Sequence, residues 1–173
     1  DRLHKLVENM LLAARIDNSS FELHRESVNL SEYLEEGLKQ TIQLFSHAQK
    51  IILDIQPNIT FSIDKTIFPS IILNLFENAV KYSPSNSMIK IILKEEGNGV
   101  ILSVSDEGTG IPESEKLKIF QKFYRVGSED VRKTKATGLG LYIVKYLVEK
   151  HNGTILVKNN LPKGTTFKVI LQS

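Results

Sequence analysis

Residues 71–83 read IILNLFENAVKYS, a helical pattern with two unlike faces. The apolar side chains recur at intervals of three and four residues, which predicts a buried stripe along one side of an α-helix. Asn74, Asn78 and Lys81 fall within an arc of roughly 60° at the edge of that stripe. An amide oxygen is a modest ligand for Mg²⁺, which usually shares its coordination with phosphate, and a lysine one turn on can contact the same phosphates. On their own, these three residues are more typical of the polar rim of an ordinary amphipathic helix.

The composition is that of a single globular domain. The chain has 173 residues, with 22 basic and 20 acidic side chains, 41% apolar residues and no cysteine. This length and apolar content suit one domain with a core and argue against a disordered chain. The absence of cysteine excludes a disulfide scaffold, a thiolate metal site and a cysteine nucleophile. The net charge of +2 is too small for a generic nucleic-acid or membrane surface, and no apolar stretch approaches the roughly 20 residues of a membrane span.

Helical and strand-like patterns alternate along the chain. Residues 1–17 have apolar side chains at helical spacing, which predicts either a terminal helix laid on the domain or half of a hairpin whose partner lies outside the chain. Further helices are predicted from a cap at Ser31 to about residue 48, from a cap at Asp64 to about residue 82, and over about 139–151. Pro69 predicts either a kink or a helix start near residues 66–68.

The predicted strands complete an α+β domain. They cover residues 21–30, 51–55, 59–63, 88–95, 100–105, 154–158 and 165–171, and a short helix is expected around 113–121. The second and third strands are joined through Pro57-Asn58, a plausible tight connection. We therefore expect three main helices covering one face of a mixed, mostly antiparallel sheet, plus an N-terminal helix.

Two glycine-containing segments offer further chemistry. Residues 106–112 read DEGTGIP, where Asp106 at a strand end can accept a hydrogen bond from an exocyclic amine and the glycines let the backbone approach a flat ligand. Residues 137–141 read TGLGL, and glycines at a helix N-terminus free amide groups to face an anion. A basic stretch from Arg125 to Lys135 precedes them. Each segment alone also fits an ordinary turn or a solvated loop, and neither matches a P-loop or a dinucleotide fingerprint.

In their order and spacing, these segments resemble the sequence boxes of the sensor histidine kinases. Residues 74–83 resemble the N box, 106–112 the first glycine box, 120–125 the F box, 138–141 the second glycine box and 164–167 the final one. The resemblance covers about residues 22–173, and residues 1–17 resemble the second helix of the dimerisation and phosphotransfer hairpin. It divides the chain into residues 1–20, the C-terminal part of that helix with a linker, and residues 21–173, a catalytic ATP-binding domain.

The resemblance implies a Bergerat-type ATP-binding fold, an α/β sandwich shared with the gyrase, Hsp90 and MutL ATPases, with ATP and Mg²⁺ as cofactors. It implies that Asn78 coordinates Mg²⁺ with Asn74 on the same side, and that Asp106 accepts a hydrogen bond from the adenine amino group. The other nucleotide-binding residues that it implies are Lys81 toward phosphate and Tyr82 against adenine, Gly108, Gly110 and Ile111 of the first glycine box, Arg125 and Lys135 of the ATP lid, and Thr137, Gly138, Leu139, Gly140 and Leu141 of the second. The second glycine box usually opens with another glycine, and Ala136 stands there, so a stiffer lid hinge is expected.

The resemblance also bears on the reaction. Hydrolytic members of the superfamily carry a glutamate one turn before the metal-binding asparagine, and this chain has Asn74 there. An amide cannot take a proton at neutral pH, so phosphoryl transfer to histidine is expected rather than ATP hydrolysis, with no general acid or base in the pocket. None of the four histidines stands in the family's acceptor setting. The implied enzyme is therefore a protein-histidine kinase whose acceptor lies on a helix outside this chain.

The implied partners are the chain's own hairpin, a second kinase protomer and a response regulator receiver domain, in the cytoplasm, with no nucleic acid and no membrane contact by this part. Two alternatives stay open. One is another kinase or ATPase of the same GHKL superfamily, such as a serine-phosphorylating anti-sigma factor. The other is a non-catalytic nucleotide-binding module, against which the intact Asn78, Asp106, Gly138 and Gly140 argue.

Overall fold

The computed structural model describes residues 2–17, 21–44, 48–127 and 137–173. Within these ranges, α-helices occupy Arg2–Asp17 (α1), Leu30–Leu44 (α2), Phe68–Tyr82 (α3) and Gly140–Lys150 (α4). The strands there are Glu26–Asn29 (β1), Lys50–Ile55 (β2), Thr60–Ile63 (β3), Met88–Glu96 (β4), Gly99–Ser105 (β5), Gly153–Asn159 (β6) and Thr165–Gln172 (β7). None of the helices described is both long and apolar enough to cross a lipid bilayer.

A mixed five-stranded sheet forms the centre of the domain. Its strands follow the order β2-β4-β5-β7-β6, in which β2 and β4 run parallel and the other neighbours antiparallel. Ile89, Ile91 and Leu93 of β4 are buried, and Lys90 and Ile92 between them point to the opposite face and are only half-buried. The buried helix residues that share this core include Leu34, Ile71, Leu75, Ile143 and Leu147. The predicted α/β sandwich, with a mostly antiparallel sheet covered on one face, is confirmed.

The strands predicted at 51–55 and 59–63 exist, but they do not pair with each other. β2 pairs with β4, and β3 pairs with β1 in a separate two-stranded sheet. Between them, Asn58 adopts a left-handed conformation with φ of 62°. The Ser31 hydroxyl donates to the Gln56 carbonyl at 2.6 Å and accepts from the Ile59 amide at 2.9 Å. The connection through Pro57-Asn58 therefore leads from the five-stranded sheet to the two-stranded sheet. The sequences of such short apolar strands do not specify which other strand each one pairs with.

The predicted cap of α2 is wrong by two residues. The helix begins at Leu30, so Ser31 lies inside its first turn and bonds to the connection just described. The Asn29 side chain instead accepts a hydrogen bond from the Glu32 amide at 3.3 Å, as an N-terminal cap does. The predicted helix end near residue 48 cannot be compared fully, because residues 45–47 lie outside the described ranges.

The start of α3 explains Pro69. The helix begins at Phe68, so the proline lies in its first turn, where the missing amide hydrogen is not needed and no kink results. Of the two expectations for Pro69, the helix start is confirmed. Asp64 does not cap this helix; its carboxylate accepts hydrogen bonds from the amide and hydroxyl of Thr66, at 2.9 and 2.6 Å, in the turn before it.

Two smaller elements also differ from expectation. The helix predicted around residues 113–121 is instead two 3₁₀ turns, Glu113–Glu115 and Lys118–Phe120. Ile119 is the single buried residue in these two turns, so no apolar stripe supports a longer helix. The strand predicted over 21–30 is limited to β1, because residues 21–25 have no strand partner and residue 30 already belongs to α2.

Helix α1 rests on the domain by its C-terminal end. Ala13 and Ile16 are buried, and the Asp17 carboxylate accepts hydrogen bonds from the ammonium of Lys122 at 2.5 Å and the hydroxyl of Tyr142 at 3.0 Å. These hydrogen bonds hold the pKa of Asp17 below its ordinary value. From residue 7 onward, where side-chain exposure is described, the apolar residues of α1 most open to solvent are Val7, Met10 and Leu11, with exposures of 45%, 52% and 61%. The helix therefore packs on the domain and also presents an apolar face.

Candidate functional site

Asp106 stands at the C-terminal end of the central strand β5, with only 6% of its surface exposed. Its Oδ1 accepts hydrogen bonds from the amides of Gly108 at 2.8 Å and Thr165 at 3.2 Å. Burial raises the pKa of this carboxyl above its ordinary value, and the two hydrogen bonds partly oppose the rise. Within the described part of the chain, no hydrogen bond reaches Oδ2. The carboxylate is thus fixed by one oxygen and has the other available to a donor on a ligand.

The loop after Asp106 lies directly against the end of α3. A Cβ on Gly108 would stand 2.5 Å from the carbonyl oxygen of Tyr82, so a side chain does not fit there. Gly110 has a positive φ of 76°, which favours glycine. The next residue, Ile111, is half-buried and held by its backbone to Asn159. The loop backbone thus packs against protein at Gly108, and its predicted approach to a flat ligand stays a prediction.

Asn74 and Asn78 on α3 have different surroundings. Asn74 is 6% exposed, and its amide donates to the Ser70 carbonyl at 2.7 Å. Its Oδ1 would lie 2.8 Å from a Cβ on Gly140, so Asn74 faces the first turn of α4. Asn78, one turn later, is half-buried, and no described group forms a hydrogen bond with its side chain. Asn74 is therefore committed to the protein, whereas the Asn78 amide oxygen is available to an external ligand.

Lys81 and Tyr82 lie at the exposed end of α3. The Lys81 ammonium donates to the Tyr82 hydroxyl at 3.1 Å and stands 4.7 Å from the centre of the tyrosine ring. Tyr82 is 50% exposed. The two predicted ligand-binding side chains thus contact each other at the surface beside the Gly108 loop. Their predicted contacts with phosphate and adenine stay predictions.

The segment before α4 is shaped by close backbone contacts. Gly138 has φ of 70°, its carbonyl accepts from the Phe123 amide at 3.0 Å, and a Cβ on it would stand 2.7 Å from the Phe123 carbonyl carbon. The Thr137 hydroxyl accepts from the amide of Leu139, which is 1% exposed. The helix starts at Gly140, with Leu141 half-buried in its first turn. This N-terminus faces α3 at Asn74, so its amide groups and helix dipole are placed beside that asparagine.

Of the two predicted lid residues, Arg125 lies within the described ranges and Lys135 does not. Arg125 is half-buried in the segment that follows the second 3₁₀ turn. Lys135, with the rest of residues 128–136 including Ala136, lies outside the described ranges. The structure therefore brings Asn74 to the start of α4 and the Asp106 loop to the C-terminal end of α3, and the lid remains a prediction.

A cavity of about 560 Å³ has Asp106 among its lining residues. It is lined by the start of β4, by Glu107 and by the connection between β6 and β7. Asn74, Asn78 and residues 138–141 do not line it, so among the predicted site residues within the described ranges it meets Asp106 alone.

Sequence reasoning missed the residues that hold the Asp106 loop from behind. Asn160 donates to the Asp106 carbonyl at 2.7 Å, and Asn159 exchanges two hydrogen bonds with the backbone of Ile111, at 3.0 and 3.1 Å. The only local signal was a pair of asparagines before a proline and a glycine, which is typical of a turn. Their contacts about 50 residues away along the chain depend on the pairing of β5, β6 and β7.

His151 has the structural role that its position predicts. It is fully buried at the end of α4, where Nδ1 pairs with the Leu147 carbonyl at 2.7 Å and Nε2 accepts from the Asp64 amide at 3.2 Å. Burial lowers the pKa of this imidazole. His24 is exposed, while His47 and the side chain of His4 lie outside the described part.

Known proteins match this chain in both sequence and structure. Residues 63–173 match the family described as histidine kinase-, DNA gyrase B-, and HSP90-like ATPase. The signal transduction histidine-protein kinase ArlS of Staphylococcus haemolyticus is 32% identical over 99% of the chain, which spans 38% of the length of ArlS. The full-length structure of ShkA in complex with AMPPNP is 26% identical with a TM-score of 0.80, and covers 99% of this chain and 36% of its own.

The mycobacterial sensor histidine kinase MprB is 27% identical with a TM-score of 0.73, over 86% of this chain and 97% of its own. The matches thus extend over the same elements that carry Asn78, Asp106 and Gly138. The chain belongs to the histidine kinase-, DNA gyrase B- and HSP90-like ATPase family, as an ATP-binding catalytic domain of the sensor histidine kinase type.

Proposed function

We propose that this chain binds Mg-ATP and transfers the γ-phosphoryl group to a histidine on the hairpin helix that precedes α1 in a two-component sensor kinase. The observation that carries the proposal is the Asp106 carboxylate, buried and fixed through Oδ1 while Oδ2 has no partner in the described residues. A fixed acceptor at a strand end, beside two glycines, suits the exocyclic amine of adenine. The first turn of α4 and the amide of Asn78 supply the complementary groups for the phosphates.

Asn78 is the proposed Mg²⁺ ligand because its amide oxygen is half-buried and has no hydrogen-bond donor among the described residues. No cluster of three or more histidine, aspartate and glutamate side chains is present in the described ranges to hold a metal by itself. Such a site suits Mg²⁺, which prefers a few protein oxygens together with phosphate and water. The ion supplies neutralisation of the charge on the triphosphate when it is bound.

The remaining roles follow from position. The amides of Gly138, Leu139 and Gly140 at the start of α4 are proposed to face phosphate oxygens, together with Lys81, Arg125 and Lys135. Tyr82, Gly108, Gly110 and Ile111 are proposed to enclose the base, while Thr137 and Leu141 shape the turn at either end of the glycines.

Chemistry at this site is proposed to be positioning and charge stabilisation. Asn74 stands where a water-activating carboxylate would be needed, and its amide is already bonded to Ser70. The nucleophile is therefore the imidazole of the acceptor histidine, which brings its own lone pair. A P–N bond forms to the imidazole as the bond from the γ-phosphorus to the bridging oxygen breaks, and ADP leaves with that electron pair.

The exposed apolar face of α1 supports the proposed domain division. Val7, Met10 and Leu11 lie on one side of the helix, and such an exposed apolar face is typical of a helix that packs in a bundle. We propose that residues 1–20 belong to the dimerisation and phosphotransfer hairpin, and that this face contacts the other hairpin helix and a second protomer. A response regulator receiver domain would then take the phosphoryl group, with the whole exchange in the cytoplasm.

Nucleotide binding tests the site directly. We expect Mg-ADP to bind by calorimetry, and Asp106→Ala and Asn78→Ala each to weaken it at least about tenfold, or about 1.4 kcal/mol. Matched controls are Asp54→Ala and Asn98→Ala, which remove the same groups from exposed positions on β2 and on the turn after β4. Unchanged affinity in both site variants would overturn the assignment.

Phosphotransfer separates the proposed reaction from its alternatives. When the chain is supplied with the hairpin helix, ATP should yield phosphate bound to protein that acid releases, because a P–N bond is acid-labile. Acid-stable phosphoserine would instead favour a serine kinase of the same superfamily. Binding of Mg-ADP without transfer to any protein, hairpin included, would favour a nucleotide-binding module.

A further inference from the structure

Two consecutive asparagines at the end of β6, Asn159 and Asn160, form hydrogen bonds with the two ends of the loop that runs from Asp106 to Ile111. Asn160 contacts the start of the loop at Asp106, and Asn159 contacts its end at Ile111. Neither asparagine belongs to the segments that the sequence assigned to nucleotide binding. Their position behind the loop indicates that they control its shape.

Asn160 uses both ends of its side-chain amide. Its Nδ2 donates to the carbonyl oxygens of Asp106 at 2.7 Å and Thr165 at 3.2 Å, and its Oδ1 accepts from the Thr166 hydroxyl at 2.5 Å. Its own backbone amide donates to Gly164 at 2.9 Å, which closes the connection between β6 and β7. The carbonyl that Asn160 holds belongs to Asp106, the residue whose carboxylate is the proposed acceptor for adenine.

The side chain of Asn159 bonds to the backbone at the far end of the loop as the backbone of a paired strand would. Its Oδ1 accepts from the Ile111 amide at 3.1 Å and its Nδ2 donates to the Ile111 carbonyl at 3.0 Å. One side chain thus satisfies both backbone groups of the residue that follows Gly110. With Asn160 at the other end, the backbone of the loop is held at two points, which fixes the frame that carries the Asp106 carboxylate and the Gly108 amide bonded to it.

We propose that Asn160 is a positioning residue that sets the base selectivity of the nucleotide site, with Asn159 supporting it at the other end of the loop. The proposal rests on the proposed function of Asp106 as the acceptor for adenine. An oxygen that is fixed in place distinguishes an amine donor from a carbonyl, because the carbonyl is repelled. An oxygen that can turn away loses the attraction and the repulsion together, so selectivity falls.

The test compares ADP with inosine 5′-diphosphate, in which a carbonyl replaces the amine at position 6 of the base. Asn160→Asp keeps the size of the side chain but replaces the donating Nδ2 by an oxygen that faces the carbonyls of Asp106 and Thr165. Asn160→Ala removes the contacts without adding charge, and serves if the first variant does not fold. Asn98→Asp, at an exposed turn, is the control for the added charge.

We expect wild type to prefer ADP over inosine diphosphate at least about tenfold. In Asn160→Asp or Asn160→Ala this ratio should fall at least about fivefold, mainly through weaker ADP binding, while Asn98→Asp keeps it within about twofold. A purely structural loss would lower both affinities together and leave the ratio unchanged, which would overturn the proposal. A wild-type ratio near one would instead overturn the assignment of Asp106, so the two failures are distinguishable.

Discussion

Gly164→Ala probes the closest backbone contact at the Asp106 loop. Gly164 has φ of 118°, and a Cβ there would stand 2.0 Å from the Asp106 carbonyl oxygen and 2.9 Å from the Cα of Glu107. Contacts of a real Cβ under 3.0 Å are essentially never seen, so the two backbones would have to separate by about 1 Å. One methyl group should therefore move the loop that holds the proposed base-recognising carboxylate.

The magnitude follows from what that separation breaks. The hydrogen bonds from Asn160 to the Asp106 carbonyl, 2.7 Å, and from the Thr165 amide to the Asp106 carboxylate, 3.2 Å, would be stretched or lost. Each lost hydrogen bond removes about 0.5–1.5 kcal/mol, and holding alanine in this backbone region costs about 1–3 kcal/mol. We expect the free energy of unfolding to fall by about 2–6 kcal/mol, a large part of a typical total of about 5–15 kcal/mol.

The assay is urea unfolding followed by circular dichroism, with Mg-ADP affinity measured by calorimetry on the folded variant. ADP affinity should fall at least about tenfold, because Asp106 loses its orientation. The matched control is Gly37→Ala on α2, where nothing lies within 4 Å of the added Cβ. The control should gain about 0.5–1 kcal/mol from better helix propensity. A loss below about 1 kcal/mol in Gly164→Ala, with ADP affinity within about twofold of wild type, would refute the reasoning.

Two further predictions concern stability. Burial lowers the pKa of His151, so the folded chain binds a proton at this imidazole less readily than the unfolded chain does. The free energy of unfolding should therefore keep its full contribution from His151 above about pH 6.5 and decline as the pH falls below that value. An NMR titration midpoint of the His151 ring at or above about 6.5 would contradict this. Ser31→Ala leaves the buried Ile59 amide unpaired and should lower the free energy of unfolding by about 1–3 kcal/mol. The control Ser27→Ala, at an exposed position on β1, should change it little. Equal urea midpoints for the two variants would disprove the role of Ser31.

Much of the fold could be predicted because it rests on local patterns. The apolar spacing of residues 71–82 predicts a helix whatever its tertiary contacts are, and the alternation of apolar residues along β4 predicts a strand with one covered face. Asp106 could be singled out because it ends an apolar strand and precedes two glycines, whose backbone needs are read directly from residue type. The order of the boxes then indicated the family that the comparisons show.

Pairing between distant segments could not be predicted in the same way. Pro57-Asn58 looks like a tight turn in either arrangement, and only the parallel register of β2 with β4 makes it a crossover between sheets. The role of Asn159 and Asn160 likewise appears only when β7 pairs with both β5 and β6 and brings their side chains to the Asp106 loop.

The sequence alone therefore determined the four long helices, most of the strands, the candidate site residues and the family, because periodicity, glycine backbone freedom and ordered motifs are properties of neighbouring residues. The tertiary structure decided which strands pair and which side chains hold the Asp106 loop. It also decided that Asn74 bonds to Ser70 and lies against Gly140, whereas the Asn78 side chain is available to a ligand. The physical reason is that hydrogen bonds and burial depend on which segments meet in space, and these segments are separated by tens of residues along the chain.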